Sequence, residues 1–201
     1  SKTIWKSKNI STPDFMQVNH VGDFKEASNF CGLPFIIKPA NSGSSIGIAI
    51  IHNEKDFIFA FEEAYKIDKI VIVESFIVGN ECTLPIIFNK PFPIIEIKSK
   101  TEFYDYEAKY LRNDTEFIYP ADIALPLVDD IHKLCINAFN VIGCSGWGRV
   151  DFIIDKNKNI YIIELNTVPG MTNHSLVPMS ARYAGLEFDD LVLMILGTSN
   201  A

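Results

Sequence analysis

The stretch from Gly146 to Gly170 constrains this chain most, because it reads as two apolar strands that each carry hard oxygen donors. The first run, Arg149 to Ile154, is apolar except for Arg149 and Asp151. The second, Ile160 to Asn166, is apolar except for Glu164 and Asn166. Between them, Asp155-Lys156-Asn157-Lys158-Asn159 is a short polar turn, which together with the flanking runs is a hairpin signal. Side chains on a strand alternate faces, so Glu164 shares a face with Asn166, and Arg149 shares one with Asp151. If the hairpin folds with these faces together, two carboxylates and an amide oxygen converge. Such a set, without Cys or His, suits Mg²⁺ or Mn²⁺ better than zinc. Arg149 beside it suits a phosphate or another oxyanion. The competing reading is a pair of solvated turn acids. The acids lie inside apolar runs, where an unpaired charge is costly to bury, and this favours the metal reading.

A length of 201 residues allows one large domain or two small ones. With 48% hydrophobic and 21% charged residues, the composition is that of a globular protein with a full core. The net charge of −7 argues against a general nucleic-acid binder, which needs a basic surface, but leaves room for a local nucleotide site. The four cysteines, Cys31, Cys82, Cys135 and Cys144, are scattered and form no CxxC pair, so free thiols in a reducing cytoplasm are expected. No apolar run reaches the length of a membrane span, and no signal peptide is visible.

Along the chain, Trp5 sits among Lys2, Lys6 and Lys8 at the end of an expected helix with a basic face. Phe15 to Val18 is a strand candidate and Lys25 to Phe30 a helix ended by Gly32 and Pro34. Phe35 to Pro39 reads as a buried strand carrying Lys38, followed by the small-residue loop Ala40 to Gly47 and a strand from Ile48 to Ile51. Small residues with free N–H groups can wrap a phosphate. No Gly-Lys-Ser/Thr follows, so the loop is not a Walker A motif. A plain Gly/Ser turn is the alternative, but Lys38 inside an apolar strand needs an anion, which favours phosphate modestly. Glu54 to Lys66 is an amphipathic core helix, Ile70 to Glu74 a strand and Gly79-Asn80 a turn; extended runs follow at Glu81 to Phe88 and Pro93 to Ile97. Residues 99–119, dense in charge and aromatics around Phe103, read as a long loop of the kind that serves as a lid. Val128 to Asn140 has helical periodicity, Met171 to Pro178 is irregular, and residues 179–184 and 188–196 close the chain as helices.

Several motifs occur in order: Lys38-Pro39; Gly43-Ser44-Ser45-Ile46-Gly47; Phe103-Tyr104-Asp105-Tyr106-Glu107-Ala108-Lys109-Tyr110; Gly146 to Asp151; Glu164 to Gly170; and Met171 to Pro178. Together they resemble the D-alanine–D-alanine ligase family of the ATP-grasp superfamily, from about Trp5 to the C-terminus. The resemblance implies an α+β, ATP-grasp fold. Its two subdomains, residues 1–73 and 74–201, would have mixed or antiparallel sheets flanked by helices, with nucleotide between them. It implies ATP-dependent joining of two D-alanines through an acylphosphate, for peptidoglycan precursors and hence cell shape, in the cytoplasm. Neither nucleic acid nor membrane is an expected partner, and a homodimer is the expected assembly.

The resemblance also implies roles. Lys38 would hold the ATP α-phosphate, Glu74 the adenine side and Glu81 the ribose. Phe103 would join the nucleotide pocket. Ser44 and Ser45 would close over the phosphates, with Tyr110 hydrogen-bonded toward Ser44 and Lys109 reaching the γ-phosphate. Asp151, Glu164 and Asn166 would carry two Mg²⁺ or Mn²⁺ ions. Arg149 and the Gly170 N–H would stabilise the tetrahedral oxyanion, while Ser175 and Leu176 would hold the second D-alanine's carboxylate. The family's first domain, which supplies a Glu and a His to the first D-alanine site, has no counterpart in these residues. The alternatives are a nucleotide-binding fragment inactive alone and a related carboxylate–amine ligase, such as the D-alanine–D-lactate type.

Overall fold

The computed structural model describes residues 1–43, 46–98 and 116–200. Helix α1 (Lys2–Ser7) opens the chain, and its basic residues surround a fully buried Trp5. The indole Nε1 donates to the Ala138 carbonyl at 2.9 Å, so the ring's one polar atom is satisfied in the core. Ile10 is buried in the same cluster, and the Ser11 carbonyl accepts from the Ile162 N–H at 2.9 Å. Ser1–Thr12 thereby joins a larger compact unit with Val78–Lys98 and the chain from Glu116 onward, while Pro13–Ile77 forms a smaller unit. The expected division after residue 73 falls inside a strand of that smaller unit.

The smaller unit contains β1 (Phe15–Val18), α2 (Phe24–Cys31), β2 (Phe35–Pro39), β3 (Ala49–Ile51), α3 (Glu54–Ile67) and β4 (Val71–Ser75). Its sheet is antiparallel throughout, in the order β1-β4-β2-β3. Phe35 and Ile37 turn to one face of β2 and are fully buried, joined by Phe57, Phe61 and Ala64 along one stripe of α3. Asn53 caps α3 by accepting from the Asp56 N–H at 3.1 Å. The small-residue loop is tied at both described ends. The Asn41 N–H and side-chain amide each donate to Asp68 at 2.8 Å. At the far end, Gly47 has φ +77°, and a Cβ there would meet Ile67 Cδ1 at 2.5 Å, so only glycine fits.

The larger unit contains β5 (Gly79–Ile87), β6 (Lys90–Pro91), β7 (Ile95–Lys98), β8 (Glu116–Ile118), α4 (Leu125–Val141), β9 (Trp147–Asp155), β10 (Ile160–Asn166), α5 (Leu176–Tyr183) and α6 (Phe188–Gly197). Its antiparallel sheet runs β10-β9-β5-β7-β8, with β6 also paired to β5. Alternate residues of the central strands, Cys82, Leu84 and Ile86 on β5 and Val150, Phe152 and Ile154 on β9, cluster with Ile131, Cys135, Ala138 and Phe139 of α4. The opposite face carries Thr83, Arg149 and Asp151, while at the end of β5 Ile87 packs there with Val177 and Ala181 of α5 and Leu191 of α6.

Three expectations change. Gly79-Asn80 is not a turn but the start of β5, where Gly79 lies so close to the Ile154 carbonyl that a Cβ would stand 2.2 Å from its oxygen. The end of the expected lid loop, Glu116–Ile118, is a strand that pairs with β7. Helix α5 begins at Leu176, inside the stretch read as irregular. Among the described residues, no helix is long and apolar enough to cross a membrane.

All four cysteines are free thiols. Burial raises the pKa of each, Cys31 to about 11 and the core thiols Cys82 and Cys135 further still. At pH 8 the reactive thiolate of Cys31 is about a hundredfold scarcer than that of an ordinary thiol. Thiol labelling of the native protein at pH 8 is therefore expected to be slow and to become fast only on unfolding. Rapid labelling of any two native cysteines would contradict this placement.

Candidate active site

The site begins with the β9–β10 hairpin. Ile160, Tyr161 and Ile162 pair with Ile154, Ile153 and Phe152, but Glu164 pairs with Asp151, because the register slips by one residue at Ile163. This bulge decides the chemistry of the face. In simple alternation Glu164 would follow Ile162 into the core, opposite Val150. With one extra residue on β10, Glu164 moves to the face of Asp151, and Leu165 takes the apolar position opposite Val150. Bulges commonly re-aim a side chain beside a functional site.

Two cross-strand rows result. Thr83, Asp151 and Glu164 form one across β5, β9 and β10; Pro85, Arg149 and Asn166 form the next. Asp151 is buried, and its carboxylate is gripped from several sides. Arg149 donates from Nε to Oδ1 at 2.8 Å and from its terminal nitrogen to Oδ2 at 2.7 Å, a two-pronged ion pair. Thr83 Oγ1 donates to Oδ1 at 2.5 Å. Asn166 Nδ2 donates to Asp151 Oδ2 at 2.9 Å and lies 3.4 Å from Glu164 Oε1. The predicted donors Asp151, Glu164 and Asn166 are thus together, with Arg149 beside them. Two carboxylates and an amide meet here, Asp151 being balanced by Arg149, and such a set of hard oxygen donors fits a divalent cation. Gly148, just before this row, admits no side chain, since a Cβ would meet Phe139 at 2.8 Å and the Asn166 carbonyl at 3.0 Å.

Glu81 precedes Thr83 on the same face of β5, opposite Ile153. At the end of β10, Gly170 and Ser175 come close: a Cβ on Gly170 would stand 3.0 Å from Ser175 Oγ. That hydroxyl accepts from the Thr172 N–H at 3.0 Å and lies 2.9 Å from Thr172 Oγ1. Ser175 is the N-cap residue of α5 without bonding the helix through its side chain, and Leu176 is its first residue.

In the smaller unit, Lys38 on β2 and Glu74 on β4 form an ion pair, Nζ to Oε1 at 2.7 Å, with both side chains largely buried. The anion that Lys38 needs is therefore supplied within the sheet, by a residue 36 positions away whose pairing no local pattern signals. The predicted residues Ser44, Ser45, Phe103, Lys109 and Tyr110 lie outside the described residues. Thr83 escaped the sequence reading. Its signal was weak: a single hydroxyl in an otherwise apolar strand, two residues after Glu81.

A mixed α+β architecture of two antiparallel sheets, with the Asp…Glu-x-Asn oxygen set on one hairpin, defines the ATP-grasp fold. The chain belongs to the family described as D-ala D-ala ligase C-terminus, whose model matches residues 4–197. It is 43% identical to D-alanine–D-alanine ligase B of Chromobacterium violaceum, over 98% of this chain and 65% of that protein. It is 41% identical to the D-alanine–D-alanine ligase of Nitrosomonas europaea, over 99% of this chain and 65% of that one. Among solved structures, a D-alanine–D-alanine ligase from Bacillus anthracis matches with TM-score 0.84 and 35% identity, covering 98% of this chain and 65% of its own. A structure of that ligase complexed with ATP matches with TM-score 0.82 and 32% identity, covering 98% and 64%. The VanG D-Ala:D-Ser ligase of Enterococcus faecalis matches with TM-score 0.84 and 28% identity, covering 98% and 59%. The chain thus spans about 65% of the length of the curated relatives it matches.

Proposed function

We propose that this chain is the nucleotide-binding and catalytic part of an ATP-dependent D-alanine–D-alanine ligase. The observation that carries the reading is the row of Asp151 and Glu164, bridged by Asn166 and flanked by Arg149. Family membership supports the substrate, and the curated relatives bear the ligase name. By resemblance, ATP phosphorylates the carboxylate of one D-alanine, and the amine of the second attacks the acylphosphate and expels phosphate. Such a reaction asks the protein for positioning and charge neutralisation more than for covalent chemistry.

In this reading Lys38 and Glu74 serve the α-phosphate and adenine, Glu81 the ribose, and Phe103 the rest of the nucleotide pocket. Ser44, Ser45, Lys109 and Tyr110 close over the phosphates and keep water from the acylphosphate. Asp151, Glu164 and Asn166 hold Mg²⁺ or Mn²⁺, two ions in the family pattern, which when bound neutralise the phosphate charge. Arg149, a permanent cation held beside Asp151, would stabilise the oxyanion by its charge. The Gly170 N–H joins it, and Ser175 with the N–H of Leu176 at the helix start receives the second substrate's carboxylate. The work is cytoplasmic, contributes to peptidoglycan synthesis and is carried out as a homodimer.

The test separates ligase from nucleotide-binding fragment. The purified 201-residue chain is expected to bind ATP–Mg²⁺ without making dipeptide, because it spans about 65% of the length of the ligases it matches and positioning of both substrates supplies much of the rate. A full-length ligase carrying this chain is expected to release phosphate only when D-alanine is added. Phosphate release indifferent to D-alanine would overturn the reading, as would dipeptide synthesis dominated by a depsipeptide product when D-lactate competes.

A further inference from the structure

Thr83 is fully buried on β5, in the same cross-strand row as Asp151 and Glu164. Its hydroxyl lies 2.5 Å from Asp151 Oδ1 and 3.4 Å from the Val150 carbonyl, so the carboxylate takes the proton. A hydroxyl donating to a carboxylate at this range is a charge-assisted bond, among the stronger kinds. The β-branched side chain has few allowed rotamers, and its strand is paired on both sides, by β7 and β9, which together fix the place of the hydroxyl oxygen. The other two described donors are drawn toward other duties. Arg149 is a cation, so a metal ion reaching Asp151 repels it. Asn166 must present its oxygen, not its nitrogen, to serve as a ligand. Thr83 is neutral and has no such conflict.

We infer that Thr83 is a positioning residue: it holds the Asp151 carboxylate in its ligating orientation when a divalent cation displaces the Arg149 grip. The inference rests on the metal-site reading of Asp151 and Glu164. Outer-shell hydrogen bonds of this kind are typically worth 10–100-fold in metal affinity. Thr83→Val keeps the shape and removes the donor. Thr83→Ser keeps the donor and removes a methyl group.

The experiment measures Mn²⁺ affinity of the chain by paramagnetic resonance, with a non-hydrolysable ATP analogue, for wild type, Thr83→Val, Thr83→Ser and Asp151→Asn. Thr83→Val is expected to weaken Mn²⁺ about tenfold or more, Thr83→Ser to stay within about threefold of wild type, and metal-free nucleotide affinity to be unmoved. Should Thr83→Val not fold, Thr83→Ala against Thr83→Ser gives the same comparison. If Asp151→Asn weakens Mn²⁺ while Thr83→Val binds as wild type, the inference on Thr83 falls and the metal site stands. If Asp151→Asn leaves Mn²⁺ affinity unchanged, both fall.

Discussion

Replacing Glu164 with Gln in a full-length ligase carrying this chain is expected to lower D-alanine-dependent turnover by roughly a thousandfold, while the melting temperature stays close to wild type. Loss of one negative ligand removes several kcal/mol of charge stabilisation from a phosphoryl-transfer site, and about 1.4 kcal/mol is a factor of ten in rate. The fold is expected to survive because the one described contact of the Glu164 carboxylate is the long one, 3.4 Å from Asn166. Asp151→Asn should be equally inactive but also less stable. It breaks the two-pronged pair with Arg149, whose side chain is only 14% exposed, and stranding a buried charge typically costs about 3–5 kcal/mol. The pair of variants therefore separates chemistry from architecture. Kinetics and thermal melts on both proteins check it, and near-normal turnover of Glu164→Gln at ordinary Mg²⁺ would remove this residue from the metal site.

Trp5→Ala is expected to be the most destabilising single change in the N-terminal segment. The indole is completely buried, and truncations of this size typically cost about 3–5 kcal/mol. For a chain of this size that corresponds to a melting-point loss of roughly 6–20 °C. Trp5→Phe should cost less, about 1–3 kcal/mol from the stranded Ala138 carbonyl together with some lost packing. Denaturant melts followed by circular dichroism distinguish the two. An alanine variant as stable as wild type would mean that Ser1–Thr12 is not anchored in the larger unit as described.

These two residues also mark how far the sequence carried. That Asp151, Glu164 and Asn166 come together was legible because polar residues in apolar runs are costly to bury unpaired, and because a polar turn joined the runs. The bulge between them was not legible. Ile160 to Ile163 is an unbroken apolar run, compatible with either face assignment, and only pairing with β9 reveals the extra residue. The salt bridge of Lys38 with Glu74, the grip of Thr83 on Asp151 and the docking of Trp5 under Ala138 all join residues far apart in sequence. Such contacts are products of strand order and helix docking, which local periodicity does not encode.

The slip at Ile163 has a consequence for how this segment tolerates length change. Residues added to the Asp155–Asn159 turn lengthen a loop and leave the pairing of β10 with β9 as it is. Deleting Ile163 does something else: it removes the extra residue itself, so that Glu164 follows Ile162 directly, still opposite Asp151, and β10 pairs without a bulge. A substitution at Ile163 keeps the count and so keeps the face. Natural and engineered insertions are therefore expected at the hairpin tip, while ahead of Glu164 the one residue whose loss leaves the register of Glu164 with Asp151 unchanged is Ile163.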